Sequence, residues 1–217
     1  MYRLHGFCQS GNTFKVAFLL RALGAPFETA FVDFMNGKTR DAGWRAGTNE
    51  MGEAPVLDDG GLRLTQSGVI LTYLAKKHGK FGGATPEEER EILRWILFDN
   101  HKFTSYFATY RFMLAFAPAA PEPAVLAFLK TRLDSAYGIV DKHLAGREYL
   151  VGKSPTIADF SLSGYVFFPL EESGYAIDGR YPAIAAWRDR LKKVPGWADP
   201  YAVLPGERLA PKWVKGA

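Results

Sequence analysis

The chain has 217 residues, of which 47% are apolar and 23% are charged, proportions that are typical of folded globular proteins and argue against disorder. The longest apolar run in the first third of the chain, 16–20, is much shorter than the roughly 20 residues that cross a bilayer, so we expect a soluble protein that does not bind membranes. The net charge of +4 is scattered along the chain, which argues against a nucleic-acid partner because phosphate binding needs a continuous basic stripe.

Residues 1–78 alternate predicted strands and helices, which indicates a small α/β domain. Asn12 is the expected N-cap of the first helix, and Gly24 ends that helix because glycine tolerates a left-handed backbone. The glycine pair 60–61 supplies the positive φ angles of a hairpin turn, and Ser67 is the expected N-cap of the third helix. The predicted elements are a strand over 2–5, a helix over 12–23, a strand over 27–32, a weaker helix over 39–46, a hairpin over 56–65 with its loop at 58–61, and a helix from 67.

Residues 79–86 contain three glycines and one proline and form the predicted linker between two domains. Beyond the linker, in residues 87–217, apolar residues recur at steps of three and four, which indicates an all-α domain. Thr85 as N-cap, Pro86 at the first helical position and Glu88 as the capping-box partner predict where its first helix begins. The predicted helices run from 86 to about 117, from 125 to 144, from 156 onward and from 182 onward.

Common catalytic and metal-binding patterns are absent from the sequence. It has no Gly-x-Ser-x-Gly element and no Gly-x-Gly-x-x-Gly loop, and its four histidines are dispersed, so we expect no metal site. Cys8 is the only cysteine, and residues 1–6 lack the apolar region of a secretory signal, which together favour a reducing cytoplasmic location. Cys8 is either a small packed side chain or a thiol activated by the helix that follows it.

Three short segments at the junctions of predicted elements combine groups that can bind a ligand. Ser10-Gly11-Asn12 opens the first helix, where it either caps the helix or directs a hydroxyl at an anion held by the helix terminus. Ala54-Pro55 begins a strand, either at a sheet edge or through a cis peptide that lets the backbone pair with an extended ligand. Gln66-Ser67 either starts the next helix or binds a carboxylate.

Together, these segments resemble the soluble glutathione S-transferase family over nearly the whole chain. The resemblance, to a bacterial-like member of the serine type, implies a thioredoxin-like N-terminal domain that binds glutathione and an all-α C-terminal domain that contributes much of the second-substrate pocket. It also implies a cytoplasmic homodimer that acts in detoxification with glutathione as co-substrate. The motifs that carry the resemblance are Ser10 to Val16, Asn49 to Leu57, Gln66-Ser67 and Ser154 to Asp159, the last of which is similar to the family's helical folding box.

In this resemblance, Ser10 takes the place of the serine that activates the thiol in serine-type members. Asn12 and Cys8 are the alternatives for that role. Ser10 is favoured over Cys8 because Cys8 is offset by two positions from the serine, whereas cysteine-type members carry their thiol close to the serine's own place. Ala54, before the expected cis Pro55, would pair through its backbone with the cysteinyl part of glutathione.

The resemblance also implies which side chains hold the two ends of glutathione. Gln66 and Ser67 would hold the γ-glutamyl end, where many members have a glutamate in place of Gln66. Glu53 belongs to the same implied glutathione-binding surface. Lys38 or Arg40 lies where members often place a contact to the glycine carboxylate.

The expected pocket for a hydrophobic electrophile is built from aromatic side chains: Phe7 after the first strand, and Phe103, Tyr106 and Tyr110 on the long helix. Tyr106 and Tyr110 are four residues apart and share a helix face, where they either reach a polar substrate or pack in the core.

The fold does not choose among the reactions of a bound thiolate. Conjugation is the expected reaction, and dehalogenation, isomerisation, peroxide reduction and lyase-type ether cleavage are alternatives. Two further alternatives are a non-catalytic glutathione-binding interaction module and thiol exchange through Cys8.

Overall fold

The structure is a computed structural model that describes residues 1–214, and residues 215–217 of the predicted helical domain lie outside the described residues. Its four strands are β1 (Tyr2–Gly6), β2 (Phe27–Phe31), β3 (Val56–Asp59) and β4 (Leu62–Thr65). They form one mixed sheet in the order β2-β1-β3-β4. β1 is parallel to β2 and antiparallel to β3, which is antiparallel to β4.

The helices divide between the two parts of the chain. Those of the sheet-containing part are α1 (Gly11–Ala22), α2 (Ala42–Gly47) and α3 (Ser67–His78). Those of the all-α part are α4 (Pro86–Phe98), α5 (Thr104–Ala115), α6 (Pro123–Leu144), α7 (Ile157–Leu162), α8 (Pro182–Leu191) and α9 (Pro200–Val203). The predicted architecture, a small α/β unit followed by an all-α unit, is confirmed. Within residues 1–214, no helix combines the length and apolarity that crossing a membrane requires.

The predicted hairpin forms, although its loop is shorter than expected. Gly60 and Gly61 occupy the turn with φ angles of 57° and 97°. Asp58 and Asp59, which we expected in the loop, belong to β3, where they pair with Arg63 and Leu62 of β4. The two glycines alone therefore reverse the chain, because only they need the positive φ angles.

The prediction that Asn12 caps α1 is wrong, because the helix begins at Gly11 and its N-cap is Ser10, two positions before Asn12. The Ser10 Oγ accepts a hydrogen bond from the backbone N–H of Thr13 at 3.1 Å. A Cβ atom on Gly11 would lie 2.5 Å from the carbonyl oxygen of Gly164 and 2.5 Å from the Tyr165 ring. Only glycine at position 11 therefore lets the start of α1 pack this closely against the helical domain.

The prediction that Ser67 caps α3 is also wrong. Ser67 is the first residue of α3, and the N-cap position belongs to Gln66, which makes no side-chain capping bond. Gln66 has a φ of 66°, a left-handed conformation that is uncommon for residues with a side chain. The side chains of Gln66 and Ser67, at the end of β4, therefore do not cap α3 and can form hydrogen bonds with other groups.

The cap predicted for α4 is confirmed in part. Thr85 accepts a hydrogen bond from the N–H of Glu88, but the Glu88 carboxylate accepts from the Ala84 N–H at 2.7 Å rather than from Thr85. Thr156 and Asp159 form a reciprocal capping box at α7. Asp159 is fully buried, which gives it a structural role at the start of that helix.

The long helix predicted from 86 to about 117 is interrupted. Between α4 and α5, residues Asp99–Phe103 form a π-helical turn, which is wider than an α-helical turn and admits one extra residue. This π turn faces α1, and the two are joined by a buried ion pair in which the Lys15 Nζ lies 2.5 Å from the Asp99 Oδ2. The two parts of the chain also share one hydrophobic core, in which the rings of Phe18 and Phe160 lie 4.8 Å apart.

Candidate functional site

A cleft of about 320 Å³ lies between the sheet-containing part and the helical part. The amino end of α1, the loop before β3, the start of α3 and the π turn with α5 form its walls. Segments that are far apart in sequence therefore meet at one place. Eight of the predicted site residues line the cleft, namely Phe7, Ser10, Asn12, Glu53, Ala54, Pro55, Gln66 and Ser67.

Ser10 lies at the amino end of α1 and is only 4% exposed. Its Oγ accepts the hydrogen bond from the N–H of Thr13 through one of its two lone pairs, which leaves the hydroxyl proton available for donation. The backbone N–H groups at the start of α1 carry the positive end of the helix dipole. Ser10 can therefore cap α1 and donate a hydrogen bond to a bound anion at the same time.

The Ala54–Pro55 peptide is cis, as predicted. The loop before it is held by Asn49, which is 5% exposed. The Asn49 Nδ2 donates to the carbonyl oxygen of Glu53 at 2.7 Å, and the Asn49 Oδ1 accepts from the N–H of Met51 at 3.1 Å. This side chain therefore fixes the backbone that carries Glu53 and Ala54 into the cleft.

Polar side chains from three segments meet above the start of α3. The Gln66 Nε2 donates to the Glu53 Oε2 at 2.7 Å, and the Ser67 Oγ lies 3.4 Å from the Asn12 Oδ1. A Cβ atom on Gly68 would lie 3.1 Å from the Asn100 Nδ2, so the Asn100 amide faces the same helix start. Amides, a hydroxyl and one carboxylate thus surround the free N–H groups of a helix terminus, a set suited to an amino-acid backbone.

The wall contributed by the helical part consists of residues that sequence reasoning missed. The hydroxyl of Thr104 is buried and has no hydrogen-bond partner within the described part of the chain. On α5, residues three and four positions apart share a face, and the small or polar residues of that face form the wall together with one residue of the π turn. These lining residues are Asn100, Thr104, Ser105, Ala108 and Thr109, with Phe34 and Tyr165 completing the cleft.

Three residues predicted for the electrophile pocket do not line the cleft. Phe103 is 1% exposed and stacks on Tyr137 with a centroid separation of 4.2 Å, so it belongs to the core. Tyr106 packs against the same core, and Tyr110 makes an edge contact with Tyr175. Tyr106 and Tyr110 lie away from the cleft because the side of α5 that faces it carries small residues.

Two other groups of predicted site residues also lie away from the cleft. Cys8 is fully buried, its Sγ lies 3.3 Å from the carbonyl oxygen of Glu207, and burial raises the pKa of its thiol. A reactive thiolate at Cys8 is therefore unfavourable. Lys38 and Arg40 form an exposed helical turn before α2 and do not line the cleft.

A second cavity of about 250 Å³ adjoins the cleft and shares the side chains of Phe7, Phe34 and Tyr165 with it. Phe7 and Phe34 stack with a centroid separation of 4.7 Å, and Phe34 meets Phe112 edge to face. Arg111 also borders this cavity, but its guanidinium is 2% exposed and bonded to Glu172. The cavity therefore offers mainly aromatic surface, as expected for Phe7.

The residues of the cleft do not form a metal site. Within residues 1–214, no group of three or more His, Cys, Asp or Glu side chains is placed to hold a metal ion.

A four-stranded mixed sheet with its ligand cleft at the amino end of α1, joined to an all-α domain, defines the two-domain glutathione transferase fold. The family profile described as "Glutathione S-transferase, N-terminal domain" matches residues 1–76, and the profile for the "Glutathione S-transferase, C-terminal domain" matches residues 123–190. The chain belongs to the glutathione S-transferase family.

Individual relatives cover most of the chain. A solved glutathione S-transferase from Pseudomonas fluorescens is 31% identical, with a TM-score of 0.82 over 92% of this chain and 98% of that one. A glutathione transferase homolog from Lodderomyces elongisporus, solved with two GSH per subunit, is 25% identical, with a TM-score of 0.84 over 94% and 99% of the two chains. The curated "Glutathione S-transferase-like protein OpS6" of Beauveria bassiana is 28% identical over 201 residues, or 89% of this chain and 91% of the relative.

Proposed function

We propose that this protein is a glutathione S-transferase of the serine type, which ionises the thiol of bound glutathione and directs the thiolate at a hydrophobic electrophile. The observation that carries the proposal is the position of Ser10, which lines the cleft at the amino end of α1 with its hydroxyl proton available. The relative that was solved with GSH supports glutathione as the thiol. In the reaction, the sulfur forms a bond to an electrophilic carbon, and the leaving group departs with the electron pair of its former bond.

The Ser10 hydroxyl and the amino end of α1 can together supply the free energy that ionises a bound thiol at neutral pH. A free thiol with a pKa of about 8.5 is only a few per cent ionised at pH 7. A hydrogen bond to a charged acceptor and the dipole of α1 together supply roughly 2–4 kcal/mol of preference for the anion. Each pKa unit corresponds to 1.36 kcal/mol, so the pKa would fall to about 6–7 and most of the bound thiol would be reactive at neutral pH.

The remaining cleft residues position glutathione for this step. The backbone of Ala54 pairs with the cysteinyl part, which places the sulfur near Ser10. Ser67 and the free N–H groups at the start of α3 bind the carboxylate of the γ-glutamyl end, beside Gln66 and Glu53. The adjoining aromatic cavity around Phe7 takes the electrophile.

We also propose that the protein acts as a homodimer, as is typical of the family. The apolar side chains of Val69 on α3 and of Leu93 and Leu97 on α4 are exposed, and contact with a second copy would remove such surfaces from water. Light scattering coupled to gel filtration measures the mass directly, and a monomer at micromolar concentration would contradict this part of the proposal.

The test of thiol activation compares Ser10→Ala with wild type. Ultraviolet absorbance of the thiolate, titrated against pH in the glutathione complex, gives the thiol pKa, and turnover with a generic aromatic halide gives kcat. We expect Ser10→Ala to raise the pKa by one unit or more and to lower kcat at neutral pH at least tenfold. Ser105→Ala is the matched control, because it removes a hydroxyl from the opposite wall of the cleft.

Each outcome of this test has a clear meaning. An unchanged thiol pKa and unchanged turnover in Ser10→Ala would exclude Ser10 as the activating group. Glutathione binding without turnover over a broad panel of electrophiles, including halides, isomerisable substrates, peroxides and ethers, would identify a non-catalytic binding module instead. Turnover with one class alone would identify the reaction.

A further inference from the structure

The two residues before Ser10 are held by the C-terminal segment of the described chain. The backbone N–H of Cys8 donates to the carbonyl oxygen of Pro205 at 2.8 Å. The Gln9 Nε2 donates to the carbonyl oxygen of Glu207 at 2.6 Å. Residues 205–213, which we call the C-terminal strap, therefore contact the loop that joins β1 to α1.

Gln9 is bound from two sides. Its side chain reaches the strap, and its own carbonyl oxygen accepts a hydrogen bond from the Arg111 Nη1 at 2.8 Å. The residue is only 5% exposed, so little water competes for these bonds. Because a chain has just two soft dihedral angles per residue, a change at Gln9 moves the adjoining Ser10 directly.

The end of α5 holds the far end of the strap. The N–H of Lys212 donates to the carbonyl oxygen of Ala115 at 3.1 Å. The N–H of Trp213 donates to the carbonyl oxygen of Leu114 at 2.9 Å, and its Nε1 donates to that of Ala117 at 3.0 Å. Carbonyl groups at a helix end have no partner within the helix and are free to accept such bonds. The helical domain therefore fixes the place from which the strap reaches the loop before α1.

Gly206 separates the two strap residues that accept hydrogen bonds from the loop, Pro205 and Glu207. Its φ angle is 110°, in the region that favours glycine. A Cβ atom at this position would lie 2.8 Å from the Phe31 ring and 3.5 Å from the Cys8 Sγ. Glycine therefore allows the strap to pass close to the β1–α1 loop, and a side chain there would push the two apart.

Thiol activation depends on where the Ser10 hydroxyl lies, because a hydrogen bond weakens steeply when its distance or angle departs from the optimum. Catalytic groups must be held to within about 0.5 Å of their working position. Gln9 is not among the described residues that line the cleft, so it reaches a bound thiol only through Ser10.

We propose that Gln9 is a positioning residue for the thiol-activating serine, and that the C-terminal strap acts through Gln9 to set where the Ser10 hydroxyl points. The last described residues of the helical domain thereby take part in activating a thiol that the other domain binds. This inference rests on the proposed function, because it assumes that Ser10 donates to the sulfur of glutathione.

Gln9→Met tests the link from the side of the loop. It keeps the length of the side chain and removes the donor to Glu207. We expect the thiol pKa in the glutathione complex to rise by about half a unit to one unit, and kcat at about pH 6 to fall roughly three- to tenfold. The Kd for glutathione should stay within about twofold of wild type. Gln9 also borders the aromatic cavity, so the thiol pKa is measured without an electrophile.

Gly206→Ala tests the same link from the side of the strap, without a change in the loop or in the lining of either cavity. The added methyl group should displace the strap, and we expect the thiol pKa to rise in this variant as well. Arg21→Met is the matched control, because the Arg21 Nε donates to the carbonyl oxygen of Gly196 at 2.7 Å. This bond also joins a side chain to a backbone carbonyl but lies at the far end of α1, so the thiol pKa and kcat should stay at their wild-type values.

The double variant Ser10→Ala with Gln9→Met shows whether Gln9 acts through the serine. A positioning residue has no hydroxyl to position in the Ser10→Ala background, so the added Gln9→Met should not raise the thiol pKa further. An added rise as large as that in the wild-type background would overturn the inference, while Ser10 would keep its proposed role.

The remaining outcomes separate a positioning role from a structural one. Folded Gln9→Met and Gly206→Ala enzymes with a lower free energy of unfolding but a wild-type thiol pKa and kcat would overturn the inference. An equal rise of the thiol pKa in Arg21→Met would do the same, since α1 would then respond to damage at either end. An unchanged thiol pKa in Ser10→Ala contradicts the proposed function and the role of Gln9 together. A rise in Ser10→Ala without one in Gln9→Met contradicts the inference alone.

Discussion

Two buried ion pairs hold the first turns of α1 and the residue before its N-cap, and they differ in how many of their charged atoms have hydrogen-bond partners. Arg111 binds the Glu172 carboxylate, and its Nη1 donates to the carbonyl oxygen of Gln9, the residue before Ser10, at 2.8 Å. Tyr201 donates to the second oxygen of Glu172 at 2.7 Å. Both charges of this pair are therefore enclosed by hydrogen-bond partners.

The pair between Lys15 and Asp99 is less complete. Ser161 donates to the same Asp99 oxygen that binds Lys15, whereas the Asp99 Oδ1 has no hydrogen-bond partner within residues 1–214. Burial lowers the pKa of Lys15, and the nearby Asp99 opposes that effect. A lysine can release its proton when its partner is lost, whereas an arginine stays charged. Two buried ion pairs of equal formal charge therefore respond differently when the acidic partner is removed.

The largest expected effect comes from removing the acid of the arginine pair. Glu172→Gln leaves the Arg111 guanidinium charged and almost fully buried, so we expect the free energy of unfolding to fall by about 3–5 kcal/mol. Urea unfolding followed by fluorescence measures this loss, and it should be the same from pH 7 to pH 10. A loss below about 1 kcal/mol would contradict the structural role of this pair.

The matched change in the lysine pair is Asp99→Asn, for which we expect a smaller loss of about 2–3 kcal/mol at pH 7. Without the Asp99 charge, the pKa of buried Lys15 falls further below its value in the unfolded chain. The unfolded state then binds more protons than the folded state, so the stability of the variant rises with pH relative to wild type. The difference between the two proteins should therefore narrow from pH 7 to pH 10 in urea titrations. A constant difference would mean that Lys15 stays protonated and that the two pairs behave alike.

The smallest loss of stability is expected for a solvent-exposed ion pair whose charged atoms lie about as close together as those of the buried Lys15–Asp99 pair. Arg94 and Glu91 lie one turn apart on α4 with a separation of 2.6 Å, and both side chains are about half exposed. Because water screens these charges, Glu91→Gln should lower the free energy of unfolding by less than about 0.5 kcal/mol. A loss as large as that of Asp99→Asn would show that burial is not what distinguishes these pairs.

Most of the fold and half of the cleft follow from the sequence because they depend on local signals. Hydrophobic periodicity predicts the helices, and the resemblance to the family groups Ser10, Ala54 and Gln66 in one site. The order of the strands, which the sequence analysis does not predict, brings the end of β1, the start of β3 and the end of β4 to the same edge of the sheet. The exact capping residues are not, because Ser10 and Asn12 are both good caps and the packing of Gly11 decides between them.

The other half of the cleft depends on contacts that local signals do not contain. Lys15 and Asp99 are 84 positions apart, and no spacing rule pairs them. On α5, aromatic side chains attract attention as ligand contacts, yet Tyr106 and Tyr110 pack in the core while Thr104 lines the cleft. Which face of α5 turns toward the ligand depends on the π turn before it, and periodicity alone does not reveal that turn.

The π turn at 99–103 holds one residue more than an α-helical turn does. The loss of a single residue there would therefore convert it into a regular α-helical turn and leave α4 and α5 in the orientations that they have now. The extra residue is absorbed within this one turn, so an insertion into the long helix keeps the threonine and serine hydroxyls of α5 facing the cleft.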